Sequence, residues 1–201
     1  MKLYHSPLTR SVRVIWLLEE LGLAYELETV TFTPPTDGPF QQATPSGKIP
    51  TLDDDGIVLF ESGAIVEWIV ERHGGGRLTP AIGTPGRAAL LQWIHFAEST
   101  GFIGMGCIAW HTRFRNDADK LPEAMADYAS WVKGAMDVVE KTLDDGRPFL
   151  LGDTFSAADC MMGYTVSVAG WMGLLGQEHA RVAAYAARLA ERPAFQKALS
   201  I

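Results

Sequence analysis

One glycine-rich break divides this chain into two unlike halves. Gly74-Gly75-Gly76 opens it and Gly83-Thr84-Pro85-Gly86 ends it, so the stretch reads as a linker. Before it, short strand-like runs alternate with helical ones. Lys2–His5 and Tyr25–Thr31 read as strands. Thr51–Asp53 and Ile57–Phe60 flank Asp54-Asp55-Gly56, a turn signature that makes them a hairpin. Arg10–Leu23 is a helix with Val14, Leu17, Leu18 and Leu21 on one face and Gly22 near its end. Glu61–His73 is a second helix, with Ile65, Val66, Trp68 and Ile69 inward and Gly74 closing it. Thr33–Gly47 holds four prolines and two glycines and is loop with room for one helical turn. The first half is thus β-α-β, loop, β-β-α. After the break the texture is helical: Arg87–Phe114, Pro122–Leu143, Ser156–Leu175, Glu178–Ala190 and a short last piece from Pro193. Phe149-Leu150-Leu151 is the single strand-like pattern there. The expectation is an α/β domain over residues 1–76 and an all-α domain over 86–201.

Composition narrows the function classes. Of 201 residues 47% are apolar and 20% charged, which suits an ordinary globule with a sizeable core. No apolar run reaches the roughly 18 residues of a membrane span. The formal net charge is −7 and no basic run exists, so a nucleic-acid groove with its clustered Lys and Arg is not expected. The opening Met1–His5 lacks the apolar core of a signal peptide, so the expected location is cytoplasmic. Cys107 and Cys160 lie far apart with no C-x-x-C, which argues against a dithiol or cysteine–zinc site. Both sit in helical apolar stretches and read as small buried hydrophobes. The five histidines have no ligand spacing, so no metal is expected.

Two acid–serine pairs stand at helix starts. Ser156 with Asp159, behind Phe155, is an S-x-x-D capping box and reads as a folding device. Ser62 can also cap a helix, but position 65 is Ile, so no reciprocal box forms. A plain cap leaves Glu61 without a purpose. A helix N-terminus binds anions through its free N–H groups and dipole. A ligand carrying both a carboxylate and an amino group fits Ser62 and Glu61 together. Just upstream, Pro50 enters a strand without an N–H to give to the ladder.

At this point three segments resemble the cytosolic glutathione transferases, especially a fungal and bacterial branch with an N-terminal Y-H-S-P-x-T-R-S motif. They are L-Y-H-S-P-L-T-R-S-V-R-V-I-W-L-L-E-E-L-G-L, then P-S-G-K-I-P-T-L with F-E-S-G-A-I, then F-S-A-A-D at Phe155–Asp159. They occur in the family's order and span nearly the whole chain. The resemblance implies a thioredoxin-like glutathione-binding domain, a helical domain contributing the electrophile site, and a homodimer. It implies a cis bond before Pro50, with the N–H and C=O of Ile49 pairing with the cysteinyl unit of glutathione like an added strand. It places the γ-glutamyl carboxylate on Ser62 and its ammonium on Glu61. Lys48 would reach the glycyl carboxylate or stand as a solvated loop lysine.

Glutathione reacts as thiolate. Lowering a thiol pKa of about 8.5 by about two units takes about 2.7 kcal/mol of preference for the anion. A hydrogen bond to a charged group supplies about 1.5–3 kcal/mol, and a helix N-terminus about 0.3–1. One hydroxyl at the start of the first helix therefore suffices. Tyr4, Ser6, Thr9 and Ser11 are the candidates, with Tyr4 expected to point into the sheet. Related sequences often carry serine where Thr9 stands, and Thr9 is the choice. Arg10 would assist through its N–H or guanidinium, and Ser11 comes third. The alternative is that Thr9 only caps the helix and backbone N–H groups hold the sulfur. On the electrophile side, Gly101, Gly104 and Gly106 suggest a bend or close packing. Met105, Trp110 and His111 would line an apolar cleft there, a buried core segment being the other reading. The implied activity is conjugation of the glutathione thiolate to a small apolar electrophile. Its rivals are glutathione-dependent peroxidase, isomerase or ether-cleaving chemistry, and a non-catalytic interaction protein on the same fold.

Overall fold

The computed structural model describes residues 1–30, 39–44 and 46–201. Two compact units are formed, Met1–Pro80 with Ala190–Ile201, and Ala81–Leu189. The first contains β1 (Lys2–His5), α1 (Ser11–Leu21), β2 (Glu26–Thr29), α2 (Pro39–Ala43), β3 (Thr51–Asp54), β4 (Ile57–Phe60) and α3 (Ser62–Arg72). The sheet order is β2-β1-β3-β4. β1 and β2 are parallel, joined through α1, and β3 is antiparallel to both β1 and β4. This β-α-β, β-β-α order is the expected thioredoxin-like domain. The hairpin turns through Asp55 at φ 54° and Gly56 at φ 87°, and Asp53 Oδ1 accepts the Gly56 N–H at 2.7 Å. Two positive φ values match the right-handed twist of the strands, which is why the Asp-Gly pair marks a hairpin. Of the loop expected at Thr33–Gly47, α2 is the helical turn, and residues 31–38 and 45 lie outside the described residues.

α1 shows why a one-sided helix pattern underestimates burial. Val12 and Val14–Leu18 are all fully buried, not only one apolar stripe. The chain's last helix, α9 (Pro193–Ser200), packs against α1. Trp16 and Phe195 lie ring to ring at 4.2 Å. Arg192 forks onto Glu20 at 2.6 and 2.7 Å, and Lys197 pairs with Glu19 at 2.7 Å. A boundary drawn at the linker assigns this last piece to residues 86–201, whereas its contacts group Ala190–Ile201 with the first unit.

Two local expectations change. Gly74 does not close α3 with a left-handed residue; the C-cap is His73, and the first positive φ comes at Gly75, 58°. A Cβ at Gly74 would lie 2.4 Å from the Val70 carbonyl oxygen, so glycine is needed there for close approach. Trp68 is half-buried and turns its indole N–H to Asp54 Oδ2 at 2.8 Å. Asp54 also meets His73 Nε2 at 2.8 Å and Arg72 Nε at 3.4 Å. Burial would lift its carboxyl, but these partners outweigh that and hold it below its ordinary value.

The second unit is helical: α4 (Pro85–Ser99), α5 (Ile103–Ala109), a π-helical turn Trp110–Phe114, α6 (Pro122–Thr142), α7 (Ala157–Trp171) and α8 (Ala180–Ala190). Thr84 caps α4 by accepting the Arg87 N–H at 3.2 Å, with Pro85 in the first turn. The helix expected over Arg87–Phe114 is broken between Ser99 and Ile103. Gly101 N–H bonds five residues back to Phe96, and Thr165 of α7 packs into the break with its hydroxyl on the Ala97 carbonyl. A Cβ at Gly104 would lie 2.5 Å from the Tyr128 carbonyl oxygen, so that glycine lets α5 approach α6. α7 is buried along nearly its whole length and packs on α4. Among the described residues no helix is long and apolar enough to cross a membrane.

Candidate functional site

Strand register collects the chemistry at one end of the sheet. Tyr4 pairs with Thr51, and Thr51 with Phe60. The residues just beyond, His5 on β1, Pro50 before β3 and Glu61 after β4, therefore leave the sheet on the same side. Two helices, α1 and α3, begin from that end. The Ile49–Pro50 bond is cis. Ile49 is buried beside Tyr4, Phe40 and Val30. Lys48 is exposed, and its carbonyl accepts the Thr51 hydroxyl at 2.8 Å. Tyr4 is buried with its ring 5.5 Å from Phe40, so it faces the core as expected.

At α3 the capping roles differ from expectation. Glu61, not Ser62, occupies the N-cap position, and it makes no side-chain cap. Its φ of 69° and ψ of 115° are a left-handed backbone for a residue with a Cβ, a conformation that costs of order 1–3 kcal/mol. Its side chain is exposed. Ser62 is 3% exposed, and its hydroxyl accepts from Arg13 Nη1 at 3.0 Å. Arg13 is fully buried in α1. The serine is thus held by a cation rather than used to close the helix.

At α1 a chain of short contacts runs inward. Thr9 Oγ1 lies 2.7 Å from the Ser6 carbonyl oxygen and 2.7 Å from Ser11 Oγ. Ser11 Oγ lies 2.7 Å from His5 Nδ1. His5 Nε2 lies 3.4 Å from the backbone oxygen of Ile201. Arg10 stands at the N-cap with helical backbone angles and no side-chain cap. Thr9 is half-exposed, while Ser11 and His5 are buried. Burial holds the His5 imidazole below its ordinary pKa, partly opposed by the Ile201 oxygen.

The structure brings Thr9, Arg10 and Ser11 together at one helix start and Glu61 and Ser62 at the other. Met105, Trp110 and His111 belong to the second unit. Met105 is 1% exposed and packed in the helical core. Trp110 is about half exposed and lies 5.5 Å from the Phe114 ring. His111 meets Asp117 through Nδ1 at 2.7 Å and stacks on Tyr128. Two residues escaped the sequence reading. Arg13 left one signal, a lone charge in the otherwise apolar run Val12–Leu18. His5 left none beyond its position at a strand end. Among the described residues no cluster of His, Cys, Asp and Glu could hold a metal ion.

Comparison with known proteins agrees with this architecture. Residues 3–77 match the glutathione S-transferase N-terminal domain family, and residues 110–191 the glutathione S-transferase C-terminal domain family. The glutathione S-transferase-like protein OpS6 of Beauveria bassiana is 31% identical over 209 aligned positions, covering 98% of this chain and 93% of that protein. A sphingomonad glutathione S-transferase solved in complex with glutathione superposes with a TM-score of 0.82 at 30% identity, covering 100% of this chain and 98% of the other. The glutathione transferase URE2P6 from Phanerochaete chrysosporium, solved with oxidized glutathione, superposes at 0.87 with 27% identity, covering 99% and 94%. Thioredoxin-like unit, helical unit and full-length similarity lead to one assignment: this chain belongs to the glutathione S-transferase family.

Proposed function

We propose that this protein binds glutathione in its first unit and transfers the glutathione thiolate to an electrophilic carbon of a small apolar molecule, as a cytoplasmic homodimer. The observation that carries the reading is the start of α3, where a fully buried guanidinium holds Ser62 beside a strained, uncapped Glu61. Strain of this kind persists where surrounding structure enforces it, and it clusters at ligand sites. The γ-glutamyl carboxylate docks on Ser62 and the α3 N–H groups, with the Arg13 charge behind them. Glu61 takes the ammonium. The N–H and C=O of Ile49 pair with the cysteinyl unit beside Pro50, and Lys48 meets the glycyl carboxylate.

Thr9 donates its hydroxyl hydrogen to the sulfur, and the Arg10 N–H at the helix start adds to the field. The thiol proton leaves to water, the S–C bond forms, and the electrophile's leaving group departs with its electron pair. Residues 1–76 carry the glutathione side, and the helical unit Ala81–Leu189 carries the electrophile side. There Trp110 and His111 offer aromatic surface, and Met105 backs them from the core. The β1–α1 turn contains no cysteine, which favours conjugation over chemistry that passes through a mixed disulfide with the protein.

Retention on immobilised glutathione, followed by a panel of aromatic halides, epoxides, peroxides and β-aryl ethers, tests the proposal. Binding with turnover of halides or epoxides is expected. A chain that ignores glutathione ends the reading and leaves an interaction protein. A chain that binds it but turns over only peroxides or ethers moves the chemistry to another glutathione-dependent class.

A further inference from the structure

The contacts behind Thr9 contain a hydrogen inventory that settles their direction. Three contacts measure 2.7 Å: His5 Nδ1 to Ser11 Oγ, Ser11 Oγ to Thr9 Oγ1, and Thr9 Oγ1 to the Ser6 carbonyl oxygen. Each needs one hydrogen, because two oxygens or an oxygen and a ring nitrogen do not approach so closely lone pair to lone pair. The carbonyl brings none, and the two hydroxyls bring one each. The third must come from the imidazole. Nδ1 of His5 therefore carries a hydrogen, whether the ring is neutral or charged. The 3.4 Å contact of Nε2 with the Ile201 oxygen is too long to reverse that order. The 3.3 Å approach of Ser11 Oγ to Ser6 is the long side of the same triangle.

The direction follows. His5 donates to Ser11, Ser11 donates to Thr9, and Thr9 donates to Ser6. Thr9 Oγ1 is thus an acceptor towards Ser11 Oγ and a donor towards Ser6, with the backbone N–H of Ser11 a more distant neighbour at 3.4 Å. Such a hydroxyl cannot act as a base. It can only give its hydrogen, and donors behind it polarise it further.

Resting on the glutathione reading above, we propose that His5 and Ser11 are positioning residues that hold the Thr9 hydroxyl as an obligate donor, ready to exchange the Ser6 carbonyl for the glutathione sulfur. The protein then stabilises a thiolate whose proton has gone to solvent, and Thr9 never removes it. When Thr9 turns to the sulfur, the Ser11 hydroxyl is the group left near the Ser6 oxygen.

The experiment is the ultraviolet thiolate absorbance of bound glutathione against pH, with affinity followed by tryptophan fluorescence. The variants are Thr9→Ala, Ser11→Ala, His5→Asn, His5→Leu and the Thr9→Ala/Ser11→Ala double. Ser11→Ala should lower the ionised fraction at neutral pH about threefold to tenfold, the value of one neutral hydrogen bond. His5→Leu should match it. His5→Asn, which keeps an N–H, should stay near wild type. In the Thr9→Ala background, Ser11→Ala should add nothing, since both act through one hydroxyl.

The proposal is overturned if Ser11→Ala binds glutathione and titrates as wild type does, or shifts by the same factor without Thr9. His5→Asn behaving as His5→Leu removes the donor role of the imidazole. If the buried His5→Leu variant does not fold, Ser11→Ala decides alone. Wild-type protein that fails to bind glutathione would sink the broader reading instead, a result separate from all of these.

Discussion

Two helix starts in this protein use the same residue types to opposite ends. At α7, Ser156 and Asp159 form the expected capping box. The Asp159 carboxylate accepts the N–H and hydroxyl of Ser156, the Leu150 N–H and the Tyr185 hydroxyl, at 2.8 to 3.0 Å. It is fully buried, and burial raises its pKa even against four donors. At α3, Glu61 is exposed and caps nothing, while Ser62 turns to a buried arginine. One start is closed on itself. The other is held open, at a cost in backbone strain. A closed cap has no remaining capacity for a ligand, and an open one has the capacity at the expense of stability.

The largest expected effect breaks the closed side. Asp159→Ala leaves buried donors of Leu150, Ser156 and Tyr185 without their acceptor. Calorimetry should show a loss of about 3 kcal/mol or more, a melting temperature lower by about 10 °C. Glutathione affinity of the folded fraction should not change. The open side responds the other way. Ser62→Ala should weaken glutathione about tenfold to a hundredfold by isothermal titration, and lose less stability than Asp159→Ala. Equal stability losses in the two variants would remove the distinction between them.

Smaller effects sharpen the same contrast. Glu61→Gly and Glu61→Ala both delete the carboxylate, but only glycine accepts a positive φ at low cost. Denaturant titration should find the glycine variant more stable by about 1 kcal/mol, with the two equally weak for glutathione. The smallest expected effect is that of His5. Its folded-state pKa is below the ordinary 6.5. The unfolded chain takes up a proton near that pH while the folded one resists. Stability should therefore decline as pH falls from 6.5 towards the lower folded value. His5→Asn should lack that part of the decline in a melting series. Asp54 acts in a separate window, because its lowered pKa confines its loss to pH below the ordinary carboxylate value of 3.8.

Much of this was legible locally. The Asp-Gly hairpin, the α1 stripe and the S-x-x-D box each depend on neighbours within a few residues, and each formed. Pro50, Glu61 and Ser62 were grouped in the sequence by the resemblance alone, and the β3–β4 hairpin brings them to one end of the sheet. The failures share a cause. Arg13 reaches Ser62 across 49 positions. α1 was read as one apolar face because nothing local announces that α9 returns to cover another. The break before α5 depends on Thr165 of α7 as much as on Gly101.

The amino-acid sequence by itself determined which segments could be strand or helix and which residue types would stand at each helix start, because φ/ψ preference and hydrophobic period act over a few residues. Only the tertiary structure decided what those residues do there. Whether a serine closes its helix or stays open depends on which donor is buried beside it. That donor is brought in by packing of α1 on α3, driven by apolar burial that is indifferent to the serine itself.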